Sequence, residues 1–135
     1  MLQVEHIGIA VLSLAKSIPL FESLLNCQVY KTEVVESEGV HTAFLQKGTT
    51  KIELLEATTP ESAIAGFIGK KGEGIHHLAF EVADIQQEMQ RLADNGFILL
   101  NAEPKKGADN KLVCFLHPRS TNGVLIELCQ EIRTQ

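Results

Sequence analysis

The sequence predicts an α+β fold built from two tandem βαβββ modules in one domain. Three observations predict it. Residues 4–11 have a near copy at residues 74–82, in which His6 falls on His77, Ile7 on Leu78, Gly8 on Ala79, Ile9 on Phe80 and Val11 on Val82. An Ile-Glu-Leu triplet also occurs twice, around Glu53 and around Glu127, each inside an apolar strand-like run. The separation from histidine to glutamate is 47 residues in the first half and 50 in the second, so the halves keep one element order with a small insertion. Module 1 is expected over about 1–57, a linker helix over about 58–72 and module 2 over about 73–131.

The elements follow from local chemistry. Along residues 4–11, His6, Gly8 and Ala10 share one face and Ile7, Ile9 and Val11 the other, because strand side chains alternate. The second is an ordinary core face, and the small, polar first face suits a strand lining a cavity. Residues 13–25 carry Leu14, Ile18, Phe21 and Leu25 at helical period. Pro19 lies inside that stripe and predicts a kink or a late helix start, because it lacks an N–H and crowds the preceding turn. Asn26 is suited to end the helix in a left-handed conformation. Strands are then expected over 28–35, 40–46 and 51–56, separated by the turns 36–39 and 48–50. A short helix near 62–68 belongs to the linker.

The second half repeats the order. A strand spans 76–82, and Asp84 to Gln87 resembles a capping box opening a helix with Ile85, Met89 and Leu92 as its apolar stripe. That helix ends at Asn95-Gly96. Strands are expected over 97–100, 111–116 and 124–130, with a polar loop at 105–110 and a turn at 117–123.

Bulk composition narrows the function classes. The 135 residues suit a single domain, and 44% hydrophobic with 21% charged residues are ordinary for a globular protein. A net charge of −5 argues against nucleic acid as a partner, since neutralising phosphates needs clustered Lys and Arg. It leaves room for a small anionic ligand. Cys27, Cys114 and Cys129 are odd in number and widely spaced, which predicts reduced thiols and a cytoplasmic protein. No apolar run approaches the about 20 residues of a membrane span, and the first residues read as a strand rather than a signal peptide.

The chemistry is concentrated in the repeat. A lone strand histidine is usually a hydrogen-bonded core residue, and a lone Ile-Glu-Leu is usually an edge strand with a solvated face. Two histidines and two glutamates at equivalent positions of a duplicated unit point elsewhere. A mid-strand carboxylate between large apolar residues is costly unless paired or bound to a metal. If the halves pack about a pseudo-twofold axis, His6, Glu53, His77 and Glu127 form a first shell for a divalent ion such as Co, Mn, Ni or Zn. Further coordination positions would stay open, as a catalytic site requires. His76 is adjacent to His77 but belongs to the other side of the strand, which predicts a packing or supporting role.

The ordered motifs His6-Ile7-Gly8-Ile9-Ala10-Val11, Lys51-Ile52-Glu53-Leu54-Leu55-Glu56, Gly72-Glu73-Gly74-Ile75-His76-His77, Glu103-Pro104-Lys105 and His117-Pro118 followed by Gly123-Val124-Leu125-Ile126-Glu127-Leu128 carry a resemblance. The chain resembles the vicinal oxygen chelate superfamily and, within it, the methylmalonyl-CoA epimerases. The resemblance implies a curved mixed sheet around a divalent metal held by His6, Glu53, His77 and Glu127. It implies interconversion of the (2R) and (2S) thioesters by removal and return of the C2 proton through a stabilised enolate. Glu53 and Glu127 are then the candidate catalytic groups, an acyl-CoA thioester the partner, and a homodimer the expected assembly. Some members carry a further carboxylate in the third strand, proposed as a base, where this chain has Thr42. His41, next to it, is expected on the other face. Lys105, Lys106 and Lys111 are candidates for the CoA phosphates, and the 117–123 turn for shaping the thioester pocket. The alternatives are glyoxalase I, which shares the fold and metal set, and a metal-free bleomycin-resistance type of binding protein.

Overall fold

The computed structural model describes residues 1–133. Its elements in order are β1 (Gln3–Ala10), α1 (Leu14–Leu25), β2 (Lys31–Val35), β3 (Val40–Lys47), β4 (Thr50–Ala57), α2 (Ala63–Lys71), β5 (Gly74–Glu81), α3 (Ile85–Asp94), β6 (Lys105–Lys106), β7 (Lys111–Leu116) and β8 (Ile126–Glu131). The chain divides into two compact units. One comprises residues 6–76, the other residues 1–5 with the chain from His77 onward.

In the unit of residues 6–76 the strand order is β2-β3-β4-β1. β1 runs parallel to β4, and the other neighbours are antiparallel. One sheet face packs Ala43, Leu45 and Leu54 against Leu14, Ile18 and Phe21 of α1. On the opposite face, Ala10, Val40 and Leu55 pack against Ile64, Phe67 and Ile68 of α2. α1 starts at Leu14 and runs through Pro19, so the expected late start does not occur. Its first turn is held by two side chains. Ser13 Oγ accepts from the Lys16 N–H at 3.3 Å, and a Glu56 carboxylate oxygen accepts from the Leu14 N–H at 2.6 Å. With orphan donors satisfied in this way, the one bond that Pro19 forgoes does not displace the start. Asn26 closes the helix at φ 52°, as expected.

β2 begins later than the sequence suggests. The Val29 N–H is taken by the Glu22 carboxylate at 2.9 Å, so the ladder starts only beyond it. The turn into β3 needs Gly39. Its φ is 65°, and a Cβ there would lie 2.9 Å from both Ser62 Cβ and Thr59 Oγ1.

The second unit has the order β5-β8-β7-β6, with β5 parallel to β8 and the rest antiparallel. α3 buries Ile85, Met89 and Leu92 against Cys114, Leu116 and Leu128. Asp84 caps it by accepting from the Gln87 N–H at 3.1 Å, and the Gln130 side chain accepts from the Ile85 N–H at 2.7 Å. The expected strand over 97–100 is reduced to one bridge between Leu99 and Leu116, flanked by Leu100 N–H to Phe115 O and His117 N–H to Ile98 O. Pairing stops because the Asn101 side chain accepts from the Phe115 N–H at 2.9 Å, in place of a ladder carbonyl. Inside the expected loop, Lys105 and Lys106 pair with Val113 and Leu112 as the short β6. The last strand opens at Ile126 rather than residue 124, because the Val124 N–H closes a turn onto Thr121 O at 3.1 Å. Among the described residues no helix is long and apolar enough to cross a membrane.

The N-terminus is tied to this unit by Leu2 N–H to Glu81 O at 2.8 Å and by the terminal ammonium to the Glu88 carboxylate at 3.0 Å. Arg91 donates to the other oxygen of Glu88. The Arg91 hydrogen bond, followed by that of the N-terminal ammonium, lowers the Glu88 pKa below its ordinary 4.5. A lowered carboxylate pKa stabilises the fold above the unfolded-state value and loses that contribution as pH falls through the folded value. The melting temperature of wild type should therefore exceed that of Glu88→Gln near neutrality. The gap should close below pH 4.5, as read by thermal denaturation across a pH series.

Candidate metal centre

Each unit carries one buried histidine–glutamate pair, built in the same way. In the unit of residues 6–76, the parallel register places Gly8 beside Glu53 and His6 beside Lys51. His6 is thus two residues from the partner of Glu53, on the same face. Gly8 has no side chain to intervene, so Glu53 leans across it and its Oε1 lies 3.2 Å from His6 Nε2. In the second unit Ala79 is beside Glu127, and His77 is two residues earlier. Glu127 Oε1 lies 3.1 Å from His77 Nε2 across that alanine. The small face expected for the first strand is what allows both contacts.

The four side chains are almost fully buried, with relative exposures of 4% for His6, 5% for Glu53, 3% for His77 and 6% for Glu127. At that depth an ionised carboxylate needs a partner or a cation. The donor atoms suit one. Imidazole nitrogen and carboxylate oxygen bind divalent ions at about 2.1 Å, and two such donors at a right angle on one ion lie about 3 Å apart. Each pair already holds that spacing.

On the far side of each glutamate is a phenylalanine. Phe44 of β3 is directly opposite Glu53, and Phe115 of β7 directly opposite Glu127. The Phe115 ring stands edge-on to His77, with centroids 5.8 Å apart and planes at 84°. Sequence reasoning passed over this pair. The signal was present: each phenylalanine is the fifth residue of the strand that precedes the Ile-Glu-Leu strand, at Val40 to Phe44 and Lys111 to Phe115.

The other sequence candidates fall as follows. His76 makes an edge contact with Phe67 of α2 at 5.0 Å, the packing role expected of it. His41 faces Glu56 and so lies on the α1 side, away from Glu53. Thr42 is fully buried, and its hydroxyl donates to Glu33 O at 3.4 Å. Lys111 is buried and does not offer its ammonium on an open lysine face, whereas Lys105 and Lys106 form β6. The 117–123 turn contains a 3₁₀ turn at Pro118–Ser120. Cys27, Cys114 and Cys129 form no disulfide among the described residues, and burial raises the Cys114 pKa.

Residues 5–115 match the family model described as the glyoxalase/bleomycin resistance protein/dioxygenase superfamily. The chain belongs to this superfamily. It is 39% identical over 130 residues to the ethylmalonyl-CoA/methylmalonyl-CoA epimerase of Cereibacter sphaeroides, covering 95% of this chain and 97% of the relative. It is 38% identical over 129 residues to human mitochondrial methylmalonyl-CoA epimerase, covering 95% of this chain and 73% of that protein. Among solved structures, a single-substitution variant of Streptomyces coelicolor methylmalonyl-CoA epimerase in complex with 2-nitronate-propionyl-CoA superposes with a TM-score of 0.95 at 34% identity, covering 98% and 99% of the two chains.

The aromatic walls differ in depth, which sets a test. Phe44 is 1% exposed, whereas Phe115 is only partly buried. Phe44→Ala should lower unfolding free energy by about 3–5 kcal/mol, the range for a buried phenylalanine. Phe115→Ala should cost less, as measured by urea denaturation.

Proposed function

We propose that the chain is a divalent-metal-dependent epimerase that interconverts (2R)- and (2S)-methylmalonyl-CoA, its two modules working as one cytoplasmic domain. The observation that carries this reading is the doubled, buried histidine–glutamate pair in a chain that matches 97% of the length of a relative named ethylmalonyl-CoA/methylmalonyl-CoA epimerase. Either pair alone offers two donors, too few for a protein site that holds a divalent ion. On this reading His6, Glu53, His77 and Glu127 would hold one divalent ion of the Co, Mn, Ni or Zn type. When bound, that ion supplies a Lewis acid for the thioester carbonyl, which makes the weakly acidic C2 proton removable at neutral pH.

The chain's own residues do the rest. Inversion at C2 needs one proton-transfer group on each side of the carbon, one taking the proton as base and the other returning one as acid. Glu127 serves one side, and Glu53 is the second candidate of the ligand set. Phe44 and Phe115 wall the glutamates with apolar surface, which excludes water from the enolate-like intermediate and strengthens its electrostatic stabilisation. Cys27, Cys114 and Cys129 form no disulfide among the described residues, which accords with a reducing compartment.

The decisive measurement is hydrogen exchange at C2 of methylmalonyl-CoA in deuterated water, beside a glyoxalase assay. Exchange with interconversion and no net consumption is expected, with no glyoxalase turnover. Absence of exchange with every one of Co, Mn, Ni and Zn would sink the reading. His77→Ala and Glu127→Ala should each abolish activity and reduce the bound metal seen by elemental analysis. His76→Ala should keep both.

A further inference from the structure

We infer that Leu100 sets how large an alkyl group at C2 the chain accepts, as the far end of an apolar shelf that begins at Phe115. This rests on the epimerase reading above and deepens it by naming a residue that determines specificity. All of the residues involved belong to the unit that carries His77 and Glu127.

The shelf follows from the hydrogen bonds beside β7. Leu99 bridges to Leu116, and the bridge is framed by Leu100 N–H to Phe115 O at 2.8 Å and His117 N–H to Ile98 O at 2.7 Å. This antiparallel frame sets Leu100 opposite Phe115 and Ile98 opposite His117. Phe97 and Leu99 pack with Leu116 against α3. Side chains alternate along extended backbone, so Ile98 and Leu100 point to the other side, the side of Phe115. Opposed residues of neighbouring strands share a face. Phe115 is opposite Glu127, so Leu100, Phe115 and Glu127 form one row. At the glutamate end of that row Glu127 Oε1 lies 3.1 Å from His77 Nε2, and the Phe115 ring stands edge-on to the same histidine.

The far end of the row is apolar, open and fixed. Leu100 is 50% exposed and Ile98 38%. The polar groups around them are engaged within the chain. The Ile98 N–H donates to Ser120 Oγ at 3.2 Å, and the Asn101 side chain accepts from the Phe115 N–H at 2.9 Å. These bonds hold the segment against β7 where the regular ladder has ended, so Leu100 keeps its place. Such a surface offers dispersion contact to an alkyl group, and it would leave a carboxylate without a donor. C2 of the proposed substrate carries one of each, a methyl and a carboxylate, so the shelf takes the alkyl group. Leu100 stands two strand spacings of about 4.8 Å from Glu127, with Phe115 between them. A methyl group beside Glu127 meets Phe115, and a longer group lying along the row meets Leu100.

The test measures kcat/KM for epimerisation of methylmalonyl-CoA and propylmalonyl-CoA by wild type, Leu100→Ala and Leu100→Trp. Leu100→Ala should raise the propyl-to-methyl ratio about tenfold, and Leu100→Trp should lower it by a similar factor, the discrimination that one or two methylenes give in an apolar pocket. Because Leu100 is half exposed, neither change threatens folding. Leu24→Ala, at a 69% exposed leucine of α1, is the control and should keep the wild-type ratio. A wild-type ratio in both Leu100 variants overturns the assignment, and so does a shift of the same sign in both. A wild-type enzyme that epimerises neither thioester defeats the epimerase reading itself, which separates the two failures.

Discussion

The contact on which the site depends is a glutamate leaning over a residue without bulk to meet a histidine on a parallel neighbouring strand. Gly8 and Ala79 make the contact possible, because a larger side chain at either place would hold the carboxylate away from Nε2. Burial makes it necessary. A carboxylate at 5% or 6% exposure between Ile and Leu carries a large desolvation cost that one imidazole offsets only in part. The pairs hold nitrogen and oxygen 3.2 and 3.1 Å apart, a spacing that two donors to one divalent cation would also take.

The helices of each unit pack away from the rows that bear the pairs. In the unit of residues 6–76, α1 takes the opposite face of the sheet, and α2 covers only the rows beyond Glu53, where Val40, Leu55 and Ala10 lie. In the second unit α3 packs behind β7 and β8, on the side of Cys114 and Leu128. Helices are thus placed so that the rows bearing His6, Glu53 and Phe44, and those bearing His77, Glu127 and Phe115, are lined by strand side chains.

Much of the fold was legible because its signals are local. Period-two alternation marked β1, its near copy marked β5, strand-like runs bounded by turns marked β3, β4 and β7, and helical stripes marked α1 and α3, the latter with Asp84 as its cap. The misreadings came where a side chain from elsewhere in the chain competes for a backbone group. Glu22 removes Val29 from the ladder, and Asn101 ends the pairing of the segment after α3. Glu56 secures the start of α1 in spite of Pro19. None of these partners is visible in a window of a dozen residues.

The sequence by itself determined the duplication and the four positions at which the buried histidine–glutamate pairs stand. A repeat of His with a small neighbour and of Ile-Glu-Leu is a linear pattern, and strand alternation is enough to assign each residue a face. Only the tertiary structure decided what those faces meet. The register sets Gly8 under Glu53, Ala79 under Glu127 and a phenylalanine beyond each. Register is a relation between strands distant in the chain, set by hydrogen bonds that any residues can make, and a shift of one residue would turn every side chain to the other face.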